Sequence, residues 1–555
     1  MRRVSVRVWP LLAVLLVALV AALFTYTLAQ RRAGSTRQRP RPAADAPANS
    51  QGARGGPLKT GDNLQRALDE ARPGDTLVLE AGATFVGPVT LPNKPGDAYI
   101  TIQSSALAQL PPEGQRVSPA DAPAMPKIVA PGGTAGEPAL RTAAAAHHYR
   151  FVGVEFTTRA ADTFAYELVT LGGFDAAQTT LEQVPHDLVF DRCYIHTYPA
   201  QPLKRGVTLN SAETSILNCY IAGFKVVGQE AQAIQGWNGP GPFHIINNYL
   251  EAAGENILFG GARAAIPGLV PSDIEVRRNH LYKQPSWYPG HPSYAGMHWT
   301  VKNLFEIKNG RRVVVDGNLL EYNWLDAQQG YAVLFTPRLS ENGPQAVVED
   351  VQFTNNVVRH VAAGVHIAGQ DDTSTTPTAN AGRRILIRNN LFYDVSAERW
   401  GGDGVFLKIG AEAREVTIDH NTVDQGGNIT RAFGAASPGF VFTNNLIAHN
   451  AYGVIGDSQS PGQGSINAYF PRCVFRGNVI AGADGGLYPA GNYFPPTLAA
   501  ARFVDRAGGD YHLQDTSPYR KAATDGKAIG CDIAALEAAM GAQPATRPRI
   551  APPRP

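Results

Sequence analysis

Val351-Gln352-Phe353-Thr354-Asn355-Asn356-Val357-Val358 carries, in eight residues, the pattern on which the whole chain turns. Val351 and Phe353 alternate with a polar residue, the period-two signature of a strand. An Asn follows, then a second apolar pair. The same pattern recurs at Ile245-Ile246-Asn247-Asn248-Tyr249-Leu250, Val276-Arg277-Arg278-Asn279-His280-Leu281 and Val315-Asp316-Gly317-Asn318-Leu319-Leu320. It continues with Asn at 390, 421, 445 and 478, and two earlier copies place Cys193 and Cys219 at the Asn position. Successive spacings are 26, 29, 31, 39, 38, 34, 31, 24 and 33 residues. A repeat of that length means one supersecondary unit stacked on copies of itself.

The unit holds three short strands. After the second apolar pair a third strand often follows, as in Gly364-Val365-His366-Ile367-Ala368-Gly369. No crossover helix fits between the strands, which excludes a βαβ fold. Three strands and three turns per repeat describe one coil of a parallel β-helix, an all-β solenoid. Coils stack about 4.8 Å apart. An Asn at the same turn of each coil can then donate to one neighbouring coil and accept from the other. These residues are expected to hold the fold and to carry no chemistry. Cys193 and Cys219 are expected as buried thiols on adjacent coils, with their oxidation state open.

Bulk properties agree. Charged residues are 17% and the net charge is +2, so no nucleic-acid partner is implied. Four Cys in 555 residues exclude a disulfide scaffold. The apolar run Val8–Ala29 follows Arg2, Arg3 and Arg7, which predicts export with residues 1–29 as a signal peptide or a signal anchor in the inner membrane. Residues 30–57 read as a flexible tether, 58–535 as the β-helix domain and 536–555 as a coreless tail. A monomer is expected.

The repeat, with the segment before it, resembles the right-handed parallel β-helix proteins of the pectin lyase-like superfamily over roughly residues 60–530. The stretch from Asp62 to Ala71 reads as an amphipathic helix with Leu64, Ala67, Leu68 and Ala71 on one face. In the family such a helix plugs the open end of the coil. The scaffold hosts lyases, hydrolases, epimerases and adhesins, so the resemblance implies a fold more than an activity.

The resemblance places a working groove outside the sheet formed by the third strand of each coil. Alternation along those strands points Val207, Leu209, Ile257, Phe259, Phe305, Ile307, Val333, Phe335, Val365, Ile367, Val405, Leu407 and Ile409 inward. Asn210, Gln235, Glu306, Lys308, Thr336, His366 and Lys408 then face outward as candidate substrate-binding or catalytic residues. Glu306 and Lys308, two apart on one strand, lie about 7 Å apart at Cα. Glu306-Ile307-Lys308 with Arg338 resembles the alginate lyase and chondroitinase B group. That resemblance implies Lys308 as base, Arg338 as assisting acid, and Glu306 with Asn303 as ligands for Ca²⁺. The group's Arg-His-Gly is here Thr336-Pro337-Arg338. An exposed ion pair is the plainer reading of Glu306 and Lys308.

Other candidates are weaker. Asp371 and Asp372 resemble the carboxylates of hydrolytic polygalacturonases, but the companion motifs are missing. The aromatic stretch 287–299, ending in Trp299, is a candidate sugar-binding wall. His147-His148 lack Cys or acidic partners at metal-ligand spacing, which argues against a metal there. The leading expectation is a lyase acting by β-elimination on a uronate-containing polysaccharide. The alternatives are a glycan- or envelope-binding module without catalysis, and a glycoside hydrolase.

Overall fold

The computed structural model describes residues 56–133, 136–370 and 382–541. Every third strand pairs in parallel with the equivalent strand of the next coil, giving sheets of 13, 13 and 12 strands. The first sheet holds the strands before the Asn turn, such as Val348–Thr354. The second holds those after it, such as Val357–Val361, and the third those that follow, such as Ala363–Ala368. The chain is a β-helical solenoid, as its repeat requires.

One feature of the Asn turn explains its sequence. The residue before the ladder Asn is left-handed in copy after copy: φ is 57° at Asn247, 54° at Asn355, 56° at Asn389 and 67° at Gly317. Asn and Gly tolerate that region best, which is why Asn-Asn and Gly-Asn recur. The ladder itself is continuous. Asn356 Oδ1 accepts from the backbone N and Nδ2 of Asn318, both at 2.9 Å. Asn356 Nδ2 donates to Val315 O at 3.0 Å and to Asn390 Oδ1 at 3.1 Å. Each rung stabilises by about 1 kcal/mol per bond, and a broken rung strands a buried amide at greater cost. The ladder runs one rung past the last sequence repeat, to Asn492, which accepts from Asn478 N at 3.0 Å. At its other end Cys219 N donates to Asn248 Oδ1 and Cys193 N lies 3.4 Å from Cys219 Sγ; both thiols are free and buried.

The interior is one apolar column from Leu64 to Tyr488. Twelve of the thirteen residues expected to point inward on the third sheet lie in it; Val405 does not. The strand there begins at Leu407, after the left-handed Gly402 and Gly404, and Phe406 takes the core place instead. Helix Leu64–Glu70 closes the first coil, capped by Asn63 and burying Leu64 and Leu68.

The C-terminal segment decides which outer face stays available. After the last coil it forms the hairpin Phe503–Asp505 with Asp510–Leu513 and the helix Ile533–Met540. Tyr511, Tyr519, Ile533 and Leu536 cover the outward Val357, Leu391, Leu446 and Val479 of the second sheet. The packed chain therefore extends past the expected boundary at 535, because Leu536 has an apolar surface to bury. Among the described residues no helix is long and apolar enough to cross a membrane. The expected leader and most of the tether and tail, like Asp371 and Asp372, lie outside the described residues.

Candidate functional site on the third sheet

Cα register aligns Thr208, Gln235, Leu258, Glu306, Leu334, His366, Lys408 and Arg431 in one row across the third sheet. Four of the sequence-predicted residues, Gln235, Glu306, His366 and Lys408, thus share an outward row. Facing outward does not leave them open. Glu306 is 1% exposed and Lys308 5%. The loop and short helix at Leu339–Asn342 carry Glu341 over Lys308, with Nζ 3.0 Å from Oε2.

Beneath that contact lies a network that sequence reading found only in part. Asn303 Nδ2 donates to Glu306 Oε2 at 2.8 Å. Gln232 and Glu255 are paired in register, and Gln232 Nε2 donates to Glu255 Oε2 at 2.9 Å. Lys302 binds Glu230 and lies 3.7 Å from Glu255 Oε1. Below them the fully buried Lys283 ammonium donates to the carbonyls of Ala252, Ala253, Gly254 and Asn303 and to Asn256 Oδ1, over 2.6–3.3 Å.

The charges set one another's titration. Burial pushes Glu255 up to about 7, helped by Glu230 and Glu306. Burial also raises Glu306, against the pull of Lys308, Lys302 and Asn303. Burial works to lower Lys308, but Glu306, Glu230, Glu341 and Glu255 outweigh it and hold the ammonium well above its ordinary range. That direction favours the charged form of Lys308, whereas its expected role as a base draws on the neutral amine. Burial pushes Lys283 down to about 7.

The other expected residues fall into three groups. Thr336, Arg338 and His366 line a cavity of about 10 Å³ with Phe433 and Gln370, beside the cluster. Burial, then Lys408 and Arg338, push His366 down to about 3, so it is a neutral imidazole. Lys408 donates to Gln329 at 3.0 Å and sits over the Phe433 ring. Gln235 is tied to Arg205 and to Gly260 O. Asn210, by contrast, is wholly buried, and its Oδ1 accepts from Trp237 N and Asn238 N, so it shapes a turn. Trp299 is 6% exposed and packs with Trp287, Tyr322, Trp324 and Trp400. Its ring is used to fix the long loop against the coil, because an aromatic body gains more from burial than from water.

Glu255, Glu230, Gln232, Lys302 and Glu341 were missed. Glu255 stands one residue before the stretch Asn256-Ile257-Leu258-Phe259, inside the observed strand Glu255–Phe259. Starting that strand one residue earlier would have found it. The pair His147-His148 also has the partners its own sequence lacked. His186 and Asp187 of the next coil bring donor atoms within 4.8 Å of that of His148.

The class defined by these three stacked sheets is the parallel β-helix. A family described as right handed beta helix region matches residues 342–493. The chain is a parallel β-helix, and over residues 342–493 it matches the right-handed kind. No curated protein sequence matches it. Among solved structures it is similar to the PL6 family alginate lyase AlyGC, at 12% identity and TM-score 0.46, over 85% of this chain and 57% of that one. It thus spans little more than half of that lyase. It is also similar to the GH87 alpha-1,3-glucanase of Streptomyces thermodiastaticus, at 13% identity and TM-score 0.40, over 80% of this chain and 68% of that one. The Dettilon tailspike protein follows at 16% identity and TM-score 0.36, over 75% and 68%. These are likenesses of fold.

Proposed function

We propose that this β-helix acts on an anionic, uronate-containing polysaccharide by β-elimination at the third sheet. The observation that carries the reading is the cluster of Glu306, Lys308, Glu255, Lys302 and Glu230 on one outer face, with Glu306, Lys308 and Glu255 buried and Glu230 at its open edge. β-Elimination needs positive charge beside the uronate carboxylate, a proton acceptor at the adjacent carbon, and stabilisation of the leaving oxygen. Lys308, held charged, meets the carboxylate once it displaces Glu341, whose side chain is 40% exposed. Glu306, made more basic by burial and oriented by Asn303, takes the proton. The C–O bond then breaks, Arg338 stabilises the departing oxygen, and water protonates it. This moves the base from Lys308 to Glu306, because the carboxylates around Lys308 keep it protonated.

Ca²⁺ suits the donor set. Asn303 Oδ1, Gln232 Oε1 and Glu255 Oε1 are buried and, among the described residues, have no hydrogen-bond partner. They are the kind of oxygen donors such a cation takes, which leaves Glu306 to accept the proton. Bound there, Ca²⁺ would polarise the uronate carboxylate.

The test is a soluble form lacking residues 1–55, incubated with a panel of uronate polymers. Absorbance of an unsaturated product is expected. Reducing ends without that absorbance would mean hydrolysis. Binding without product would support the second reading, a glycan-binding module, which the near-complete burial of Glu306 and Lys308 favours. In either reading residues 1–29 direct export or anchoring, since the polymer lies outside the cell.

A further inference from the structure

The first sheet begins, in coil after coil, with a left-handed residue that lines up with its counterparts above and below. Towards the C-terminus this column reads Asp273, Arg312, Asp350, Arg384, with φ from 54° to 57°. Opposite charges alternate, and the pairs are bidentate: Arg312 to Asp273 at 2.7 and 2.8 Å, Arg384 to Asp350 at 2.6 and 3.0 Å. Nearer the N-terminus, on three successive coils, the same column reads His148, Asp187, Glu213, with φ of 59°, 52° and 43°. Imidazole replaces guanidinium, and two carboxylates follow each other. Such a set suits a transition metal better than an ion-pair ladder, because neutral imidazole and carboxylate are ligands of Zn²⁺-like ions.

We propose that His148, His186 and Asp187 form a binding site for a divalent transition metal of the Zn²⁺ class. One donor atom from each of the three lies within 4.8 Å of the others. His148 Nε2 is 3.9 Å from Asp187 Oδ2. An ion about 2.0–2.2 Å from each fits between them. His186 Nδ1 lies 2.8 Å from the same Oδ2, and the hydrogen bond there holds the proton that the ion would replace.

The surroundings orient these donors. His147 Nδ1 is 2.8 Å from His148 Nδ1. Only one of those nitrogens can hold the shared proton; when His148 donates it, its Nε2 lone pair is left for the metal, the usual outer-shell arrangement. The His147 ring also stacks on His186, with centroids 4.8 Å apart and planes 5° from parallel. The side chains are 15%, 40% and 24% exposed for His148, His186 and Asp187, so an ion enters from solvent and keeps a place for water or a further ligand. The site joins two neighbouring coils and is built from other residues than the third-sheet cluster.

The full chain, stripped of metal and titrated with Zn²⁺ by calorimetry in excess Ca²⁺, which fills the donor set proposed on the third sheet, is expected to take up one equivalent. Co²⁺ at the same site is expected to show the visible bands of a low-coordinate ion. Both signals should vanish in a His148→Ala/His186→Ala double variant and persist in Glu306→Gln, which lies in the other cluster. His147→Ala should weaken binding by about 10–100-fold while leaving one site. Circular dichroism checks that each variant is folded. Absence of uptake by the parent chain overturns the proposal, as does uptake that survives the double variant in folded protein. His147→Gln, which keeps a hydrogen-bonding side chain, should restore part of the loss in His147→Ala.

Discussion

The asparagine ladder and the acid–base cluster of the third sheet are made by the same device, the stacking of equivalent positions on successive coils, and they end in opposite states. In the ladder successive coils supply the same residue, and Asn248, Asn279, Asn318 and Asn356 each give and receive within 2.8–3.1 Å. In the cluster each coil supplies a different residue: Gln232, then Glu255, then Asn303 and Glu306. Three buried oxygens there have no hydrogen-bond partner among the described residues. Repetition satisfies polar groups at no cost in charge. Breaking the repeat leaves charge and unused hydrogen-bonding capacity, the raw material of a binding site.

The largest expected effect breaks the comparison on its chemical side. Lys308→Ala and Glu306→Gln should each cut formation of unsaturated product by about 10³-fold, which is about 4 kcal/mol of transition-state stabilisation. Initial rates on the preferred polymer check this, with denaturant unfolding showing a retained fold. Full activity in either variant would remove the cluster from catalysis. The ladder should behave in reverse. Asn318→Ala deletes bonds to Val276 O, Asn356, and the backbone and side chain of Asn279. It should cost about 3 kcal/mol in urea unfolding, with the rate per folded molecule unchanged.

How far each half could be read from sequence follows from the same contrast. The ladder was legible because one amide type at one left-handed turn is demanded again and again. Asn492 escaped because it comes only 14 residues after Asn478, far short of the other spacings, although Gly491-Asn492-Tyr493-Phe494 keeps the turn and the apolar pair. The outward row was legible for Gln235, Glu306, His366 and Lys408, since alternation alone orders it. The electrostatics were not legible. Lys308 is held toward its charged form by Glu306, Glu230, Glu341 and Glu255, and of these Glu230 arrives on a loop and Glu341 on a four-residue helix whose places no local pattern specifies. Likewise Trp299 read as a wall and is a packing residue, because amphipathic rings give the same sequence signal in both roles. His147-His148 looked unpartnered because His186 and Asp187 belong to the next coil.

A smaller effect sharpens the comparison through pH. Burial, then Glu230 and Glu306, raise Glu255 from its ordinary 4.5 to about 7. The folded chain therefore holds that proton more tightly than the unfolded one. The stabilisation is complete below about pH 4.5 and is lost as pH rises through about 7. Glu255→Gln lacks this loss, so its stability relative to the parent should climb by about 3 kcal/mol between pH 4.5 and 7. Denaturant unfolding of both proteins across that range measures it. A constant difference would mean that Glu255 stays ionised and that the cluster is as well satisfied as the ladder. Asn318→Ala should show no such slope, since an amide does not titrate.

The smallest effect concerns the edge of the cluster. Glu341 holds Lys308 at 3.0 Å from a side chain that is 40% exposed. A pair so open to water adds about 1 kcal/mol or less to stability. Its larger role, if an entering uronate must displace it, is competitive: Glu341 occupies the place the substrate carboxylate takes. Glu341→Gln should then lower KM by about 2–5-fold, with kcat nearly unchanged, because the lost interaction is made in the free enzyme alone. The gain should shrink as salt is added, since the competing charge is screened. A higher KM in Glu341→Gln would give Glu341 the other role: a positioning residue that holds Lys308 in place for substrate, as the ladder amides hold one another.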